Sequence, residues 1–507
     1  MSIRSLLDSA RAAGEAQPTR SILGTAGASK ENVLPARAPS LATRLTLIAT
    51  LGGLLFGYDT AVISGAVGAI DANFITPLHL SEIARNSLSG WAVSSALPGC
   101  VAGAAIAGWI GHRLGRTRGL MIAAALFVIS AIGSALPEIG LGAIGHMGPA
   151  ALKPFIAYRF LCGMAIGIAS MLSPLYIAEI APSEVRGRLV AYNQMAIVSG
   201  ILLVYFVNWA IAAQGTETWV LTTGWRLMLG SEVIPAFLFL MLLLFVPDTP
   251  RWLVMKGRPD AARMVLARLV SEDEARVSFM QIEASLVVRE EPLFAFGAGV
   301  IVVGILLSAF QQFVGINAVL YYAPLMFKNM GAATDSALLQ TVLVGAVNMV
   351  ATLIAIRTVD RWGRKPLLIL GGVIMAVAMT ALGISFAAGS TGIFALAAIL
   401  VYIAGFAVSW GPVVWVLLAE IFPNSIKDRA MAIAVAVQWI ANLFVSWSFK
   451  ILDGSSALDA LFHHGFAYLI YGAMSLLATI FVWRSVPETK SRRLEEIQEL
   501  WRPASQA

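Results

Sequence analysis

The sequence predicts an all-α membrane protein with twelve transmembrane helices arranged in two six-helix bundles. Hydropathy, charge placement and an internal repeat all support this fold class. Of the 507 residues, 58% are hydrophobic and only 13% are charged, which is about half the charged share of a typical soluble domain. The charges are concentrated in short clusters between long apolar runs, as in proteins that cross a membrane many times.

Twelve apolar runs are each about as long as the 20 residues that a membrane-spanning helix needs. Their approximate limits are 45–70, 87–110, 119–137, 154–177, 189–212, 225–246, 297–323, 337–357, 367–388, 392–418, 430–450 and 466–485. The polar segment 247–296 separates six spans from six. Its stretch RWLVMKGRPDAARMVLARL predicts short amphipathic helices at the membrane surface. The predicted domains are therefore a first bundle, a helical linker and a second bundle, at 42–246, 247–296 and 297–486.

The positive charges predict the orientation of the spans. The loops after spans 2, 4, 8 and 10 hold ten Lys or Arg residues, whereas the loops on the other side hold five. Cytoplasmic loops are enriched in these residues, so the first set is predicted to be cytoplasmic, with both chain ends on that side. Residues 1–41 lack a long apolar block and are predicted to be a disordered cytoplasmic tail. Residues 487–507 form a second predicted cytoplasmic tail.

Several functional classes are disfavoured by what the sequence lacks. Cys100 and Cys162 lie in apolar runs and are predicted to be packing residues. No cysteine–histidine cluster or HExxH motif indicates a metal, and no cofactor motif is found. No nucleophile–base set indicates an enzyme, and no basic patch with exposed aromatic residues indicates a nucleic-acid partner. The bilayer is the partner that the composition predicts.

The two halves of the sequence repeat each other. GHRLGRTRG corresponds to VDRWGRKPL, LYIAEIAPSEVRGR to WVLLAEIFPNSIKDR, and VPDTPRW to VPETK, at offsets of 240 to 248 residues. A duplicated six-span unit is the architecture of transporters whose halves move around a central site. A receptor or a membrane enzyme does not need this duplication.

These motifs, with GYDTAVISG and QQFVGINAVLYYAP, resemble in order the signatures of the sugar porter branch of the major facilitator superfamily. The resemblance covers about residues 42–502. It implies a carrier in the inner membrane that imports a neutral aldose by alternating access, D-xylose before D-glucose. Twelve spans are sufficient for a complete pathway in a monomer, which is the expected functional unit. The coupling ion would be the proton, and no cofactor would be needed. A facilitative uniporter and a sugar sensor that does not transport remain alternatives.

Polar residues within the spans predict a neutral substrate. They are mostly amides and aromatic residues, which can bind the hydroxyl groups and cover the C–H faces of a sugar ring. A lone amide within a span can also simply bond a neighbouring helix. By motif, the resemblance implies sugar contacts from Gln194, Gln311, Gln312, Asn317, Trp415 and Gln438, with Phe56 and Tyr321 adjoining.

An acid and a base within the first-half spans predict the proton site. Asp59 lies in the apolar stretch FGYDTAVISG, where a bare carboxylate costs about 2.5–3.5 kcal/mol or more. Arg159 is the strongly basic residue expected to be buried within the first-half spans. Burial favours a protonated Asp59 and a nearby guanidinium favours the carboxylate, so movement of Arg159 would switch proton binding. The resemblance implies the same pair. The alternative is a permanent structural ion pair.

Charged residues at the cytoplasmic helix ends predict a gate. The candidate residues are Arg113, Arg116, Glu179, Arg186, Asp360, Arg364, Glu420 and Lys427. Glu179 precedes Arg186 by seven residues at a helix exit, which suggests that this pair contributes to the gate. Such pairs are expected to be partly exposed and weak, at about 0–1 kcal/mol each, so that the gate can open in every cycle. Alternatively, the charges are only topology signals.

Overall fold

The computed structural model describes residues 41–182, 185–285, 291–389, 392–423, 425–490 and 501. Most of the two predicted tails lies outside these residues. The described residues contain twelve helices long and apolar enough to cross a membrane, as predicted. They are Leu41–Gly65, Glu82–Arg113, Arg116–Ala135, Gly148–Ile180, Arg186–Ala212, Glu217–Leu243, Ala298–Asn329, Thr334–Trp362, Arg364–Ala387, Ile393–Ile421, Arg429–Asp453 and Phe466–Ser485, called spans 1 to 12.

Spans 7 and 10 are each broken within the bundle. Span 7 consists of Ala298–Phe313 and Ile316–Asn329, and span 10 of Ile393–Val408 and Trp410–Ile421. Gly315 lies at the first break with φ +95°, a left-handed conformation that glycine adopts without steric cost. Tyr402 of span 10 donates a hydrogen bond to the carbonyl oxygen of Val314 at 2.8 Å. That bond partners one of the backbone groups that the break releases.

Small residues allow the helices of the first half to pack closely. A Cβ atom on Gly163 of span 4 would lie 1.8 Å from the carbonyl oxygen of Ala96 in span 2. A Cβ on Gly57 of span 1 would lie 1.9 Å from the carbonyl oxygen of Ile197 in span 5. Membrane helices associate through such close backbone contacts. Spans 1, 2, 4 and 5 therefore form the packed frame that carries Asp59 and Arg159.

Three short helices lie between the two bundles in the described part of the linker, as predicted. They are Pro250–Met255, Pro259–Leu269 and Glu272–Ser285. The Thr249 hydroxyl accepts a hydrogen bond from the Trp252 amide at 3.4 Å and caps the first helix. Trp252, Leu266 and Phe279 belong to a small hydrophobic core of their own, so the linker is a folded unit.

Hydrogen bonds and ion pairs join the two halves near one end of the bundle. We call this end the opposite face, and the end that carries the arginine-rich loops the basic face. At the opposite face the Trp447 indole donates to the Ser87 carbonyl oxygen at 3.1 Å, and Asn86 donates to the Gly454 carbonyl oxygen at 2.6 Å. The Lys450 ammonium nitrogen lies 3.0 Å from an Asp71 carboxylate oxygen. These bonds hold the halves together on that side.

Candidate functional site

Asp59 of span 1 and Arg159 of span 4 form a buried ion pair. Their side chains are 1% and 3% exposed. One guanidinium nitrogen of Arg159 contacts Asp59 Oδ1 closely, and the other lies 3.2 Å from Oδ2. The structure thus brings together the two residues that the sequence nominated for proton coupling. A charge at this depth is tolerated only when it is paired or neutralised.

Glu232 of span 6 belongs to the same cluster and was missed by the sequence analysis. Its carboxylate, the Asp59 carboxylate and the Cys162 sulfur lie within 4.8 Å of one another, and all three residues are buried. Arg159 provides the positive charge of the group. Two carboxyl groups and one guanidinium are neutral together when one proton is bound, and two adjacent buried carboxylates disfavour simultaneous ionisation. The cluster is therefore suited to hold one exchangeable proton.

The amide of Gln311 attaches span 7 to the break in span 10. Its nitrogen donates to the carbonyl oxygens of Trp410 and Gly411 at 2.9 and 3.2 Å. Its Oε1 is buried and has no hydrogen-bond partner among the described residues. Because a buried acceptor without a partner is costly, this oxygen is a candidate for binding a substrate hydroxyl.

Gln312 and Asn317 form a bond across the break in span 7. The Asn317 amide nitrogen donates to Gln312 Oε1 at 2.6 Å. Gln312 is 5% exposed, and the bond leaves its own amide nitrogen available as a donor. The two amides therefore act as one polar group beside Gly315, and their role in binding sugar stays a prediction.

Span 11 contributes two further buried groups. Gln438 Oε1 and Trp439 Nε1 have no hydrogen-bond partner among the residues that the structure describes. The Trp439 ring packs against Phe56 of span 1, with ring centroids 5.6 Å apart. This contact places an aromatic pair between the two halves, close to the Asp59 cluster.

The other predicted sugar contacts lie on the same spans. Gln194 and Trp415 are half-buried in spans 5 and 10, and their role stays a prediction. Tyr321 is buried in the second part of span 7, and its hydroxyl accepts a hydrogen bond from Asn442 of span 11 at 3.4 Å.

The basic face of the first half carries a network of five residues. Arg116 makes two bonds to the Glu179 carboxylate, at 2.9 and 2.8 Å. The Thr249 hydroxyl donates to the same carboxylate at 2.5 Å. Asp248 accepts from the Thr117 amide at the start of span 3, at 3.1 Å. Burial raises the pKa of Asp248, although backbone amides and nearby arginines favour its carboxylate.

The second half repeats this network, as its sequence motifs predict. Arg364 bonds the Glu420 carboxylate at 3.1 and 2.8 Å, and the Thr489 hydroxyl donates to it at 2.6 Å. Glu488 accepts from the amide of Arg364 at 3.1 Å, in the position that Asp248 has in the first half. Asp360 adds a further contact to Arg364, at 3.0 Å.

Two features of the predicted gate need correction. Glu179 pairs with Arg116 rather than with Arg186, which is exposed and directs its guanidinium to the Ala181 carbonyl oxygen at 3.5 Å. Each network described above lies within one half and does not bridge the two. The Arg116–Glu179 pair is also nearly buried, with side chains 8% and 7% exposed, so the expectation of a partly exposed pair is wrong there.

The remaining gate candidates occupy separate positions. Arg113 is exposed, and its guanidinium lies over the ring of Trp109, 5.5 Å from the ring centroid. Lys427 is half-buried at the start of the helix that forms span 11. The spacing along each helix did not reveal these environments, since the rotation of each helix about its axis decides which side chains meet.

A duplicated twelve-span bundle, with buried amides and aromatic residues beside a buried ion pair, defines a secondary transporter. Comparison with known proteins gives a narrower class. The family model described as "Sugar (and other) transporter" matches residues 45–501. The chain therefore belongs to the sugar transporter family, and it is a multi-pass membrane protein.

Two relatives illustrate the range of this family. The chain is 53% identical to the D-xylose-proton symporter of Escherichia coli strain K12, over 90% of the chain and 95% of that protein. It is 50% identical to the glucose facilitated diffusion protein of Zymomonas mobilis, over 91% of the chain and 98% of that protein. The two names differ in both sugar and energy coupling.

A solved structure matches the fold. It is the inward open conformation of the xylose transporter from E. coli, with TM-score 0.82 and 50% sequence identity, covering 91% of this chain and 100% of that chain. The likeness extends over both bundles.

Proposed function

We propose that this protein is a proton-coupled symporter that imports a neutral monosaccharide, with D-xylose the first choice and D-glucose the next. The buried Asp59–Arg159 pair beside Glu232 carries the proposal, because a carrier that moves no proton does not need this costly cluster. The similarity to a D-xylose-proton symporter supports the same assignment.

The substrate class follows from the chemistry of the central residues. Unpartnered amide oxygens on Gln311 and Gln438 can accept bonds from sugar hydroxyls. Trp439, Phe56 and Trp415 can cover the ring faces. A phosphorylated sugar or an organic acid would need a cluster of cations, and the central residues named here are neutral. We assign sugar contacts to Gln194, Gln312, Asn317 and Tyr321 as well.

The transport cycle combines proton binding with alternating access. We assign the basic face to the cytoplasm, which places both chain ends there and follows from the positive-inside rule. The bonds joining the halves then lie at the outer face, so this arrangement belongs to the inward-facing part of the cycle. The likeness to an inward open conformation supports this assignment.

In the outward-facing part, the acidic cluster binds a proton, sugar binds at the amides, and the halves rock together. In the inward-facing part, sugar leaves, Arg159 pairs with Asp59 and the proton is released. The networks around Glu179 and Glu420 stiffen the basic ends of the two halves during this motion. We propose that a monomer in the inner membrane is sufficient, with the proton as coupling ion and no cofactor.

The energy available from one proton is adequate. A proton moving through about 100 mV supplies roughly 2.3 kcal/mol, and a pH unit adds about 1.4 kcal/mol. Each ~1.4 kcal/mol corresponds to a tenfold concentration ratio. Together they can sustain a sugar gradient of a few hundredfold.

Facilitated diffusion is the second candidate function. It is favoured by the 50% identity to a glucose facilitated diffusion protein. In that case the ion pair is purely structural, and the sugar would equilibrate without accumulating.

Transport assays in proteoliposomes reconstituted with the purified protein distinguish proton symport from facilitated diffusion. The measurements are counterflow of labelled D-xylose, D-glucose, D-galactose and L-arabinose, and accumulation of the best substrate under an imposed proton gradient. We expect accumulation by the unaltered protein, and counterflow without accumulation by Asp59→Asn. Equal accumulation by both proteins would refute the coupling role, and counterflow without accumulation by the unaltered protein would establish facilitated diffusion.

A further inference from the structure

A small cavity lies between the proton cluster and the residues assigned to the sugar site. Its volume is about 10 Å³, and its lining includes Asp59 and Arg159 of the first half and Tyr321 and Trp439 of the second. Spans 1, 2, 4, 7 and 11 all contribute to its wall. The cavity is therefore a place where the ion pair and the residues around the sugar meet.

The cavity has the volume for one water molecule, and its largely apolar lining includes the polar side chains of Asp59, Arg159 and Tyr321. A buried water needs about 10–15 Å³ of accessible volume and two to four polar partners. Arg159 Nε and Trp439 Nε1 are buried donors without an acceptor among the described residues. The Tyr321 hydroxyl accepts from Asn442, which leaves its own proton free to be donated.

We propose that one ordered water in this cavity connects the Asp59–Arg159 pair to the Tyr321 hydroxyl. Tyr321 is then the positioning residue through which the protonation of the cluster controls span 7. The inference rests on the proposed symport and adds the link between its two sites.

The position of Tyr321 in the fold makes this link effective. Tyr321 follows the break at Gly315, in the part of span 7 that runs to the opposite face. When Asp59 is ionised, its carboxylate holds the Arg159 guanidinium. When Asp59 is protonated, the guanidinium loses a charged acceptor and the carboxyl group gains a donor. The water must then reverse the direction of one of its hydrogen bonds. Its hydrogen bond with the Tyr321 hydroxyl changes as a result.

A hydrogen-bonded path continues into span 11. Asn442 donates to the Tyr321 hydroxyl at 3.4 Å and accepts from the Ser446 hydroxyl at 2.9 Å. A change at the ion pair can thus reach span 11, which also carries Gln438 and Trp439. The network would couple the binding free energies of the sugar and the proton, so that binding of each ligand would alter the affinity for the other.

Adjacent tyrosines in span 7 provide a matched test. Tyr321→Phe removes the hydroxyl of a residue that lines the cavity. Tyr322→Phe removes a hydroxyl that donates to the Ser446 carbonyl oxygen at 3.1 Å, away from the cavity lining. The measurement is the half-saturating D-xylose concentration for counterflow in proteoliposomes at pH 6 and pH 8, with equal pH on both sides.

We expect the unaltered protein to show a pH-dependent shift of about tenfold, within the range of 5–150-fold typical of coupled sites. Tyr322→Phe should keep that shift. Tyr321→Phe should reduce the shift to less than about twofold, even if the variant's D-xylose affinity at each pH differs from that of the unaltered protein. Thermal unfolding checks that both variants are folded. Trp439→Phe, which keeps the contact with Phe56, should also reduce the shift and replaces Tyr321→Phe if that variant is unstable.

The outcomes separate this inference from the proposed function. If the unaltered protein shows neither a pH-dependent shift nor accumulation of sugar, the symport proposal fails. If the unaltered protein shows both and Tyr321→Phe or Trp439→Phe retains the full shift, the water link is wrong and the symport proposal stands.

Discussion

Two ion pairs at the opposite face provide a quantitative test of how the halves are held. Lys450–Asp71 and Lys328–Glu217 each join a lysine of the second half to an acid of the first, at 3.0 and 2.9 Å. They differ in exposure, because the first pair is 13% and 28% exposed and the second 37% and 62% exposed. Asp71 also accepts from the Ser89 hydroxyl at 2.5 Å.

Lys450→Met and Lys328→Met each keep an apolar stem and remove one charge. Lys450→Met should weaken the closure of the opposite face more, because its ion pair is the less exposed of the two. An exposed pair contributes about 0–1 kcal/mol, so Lys328→Met should change the ratio of closed to open molecules by less than about fivefold. Charge-assisted bonds shielded from water contribute about 1.5–3 kcal/mol. Lys450→Met should therefore shift the ratio by about tenfold or more.

Distances between spin labels can measure this ratio. Cysteines at Leu80 and Leu461 place one exposed label on each half near the opposite face. Native Cys100 and Cys162 are buried and should not react. We expect a short distance in the parent protein and an added longer distance in Lys450→Met. Equal distributions for the two lysine variants, or a larger change for Lys328→Met, would refute the argument from burial.

Three further predictions concern single side chains. Thr249→Val should lower the melting temperature more than Thr489→Val, because their partners Glu179 and Glu420 are 7% and 27% exposed; differential scanning fluorimetry tests the order. Hydrogen bonds that the His464 ring donates to Asp453 raise the pKa of His464 to about 9. The imidazolium therefore stabilises the fold fully below its ordinary value near 6.5 and loses this effect as the pH rises through 9. Melting temperature should accordingly fall from pH 7 to pH 10, and His464→Gln should flatten that fall; equal slopes would exclude the effect. Gln438→Ala should raise the half-saturating D-xylose concentration by about tenfold, the equivalent of one lost hydrogen bond, with an unchanged melting temperature. Normal D-xylose affinity in that variant would remove Gln438 from the site.

The sequence predicted the helical architecture because the bilayer imposes length and hydropathy on each span. The duplicated motifs also predicted the equivalence of the two basic-face networks. Arg116, Glu179 and Thr249 correspond to Arg364, Glu420 and Thr489, the same residue types in the same arrangement. Periodic patterns and repeated motifs are local properties, so a sequence displays them directly.

Side-chain partners across helices were predicted less well. Arg186 follows Glu179 at a suggestive spacing, yet the helix that carries Glu179 ends at Ile180 and Ala181 is extended. Arg116 of span 3 binds the Glu179 carboxylate instead. Glu232 directly precedes the apolar helix Val233–Leu243 of span 6 and could have been noted as a costly residue. Its contact with Asp59 could not have been derived, because it depends on how spans 1, 4 and 6 rotate against one another.

The most direct test of proton coupling is the pH of the medium around energised cells in weak buffer. When D-xylose is added to cells that contain the unaltered protein, the external pH should rise as protons enter with the sugar. Cells that contain Asp59→Asn, at equal abundance and with counterflow retained, should show no rise. A constant pH with the unaltered protein, or an equal rise with the variant, would contradict the proposal that the Asp59 cluster carries the proton.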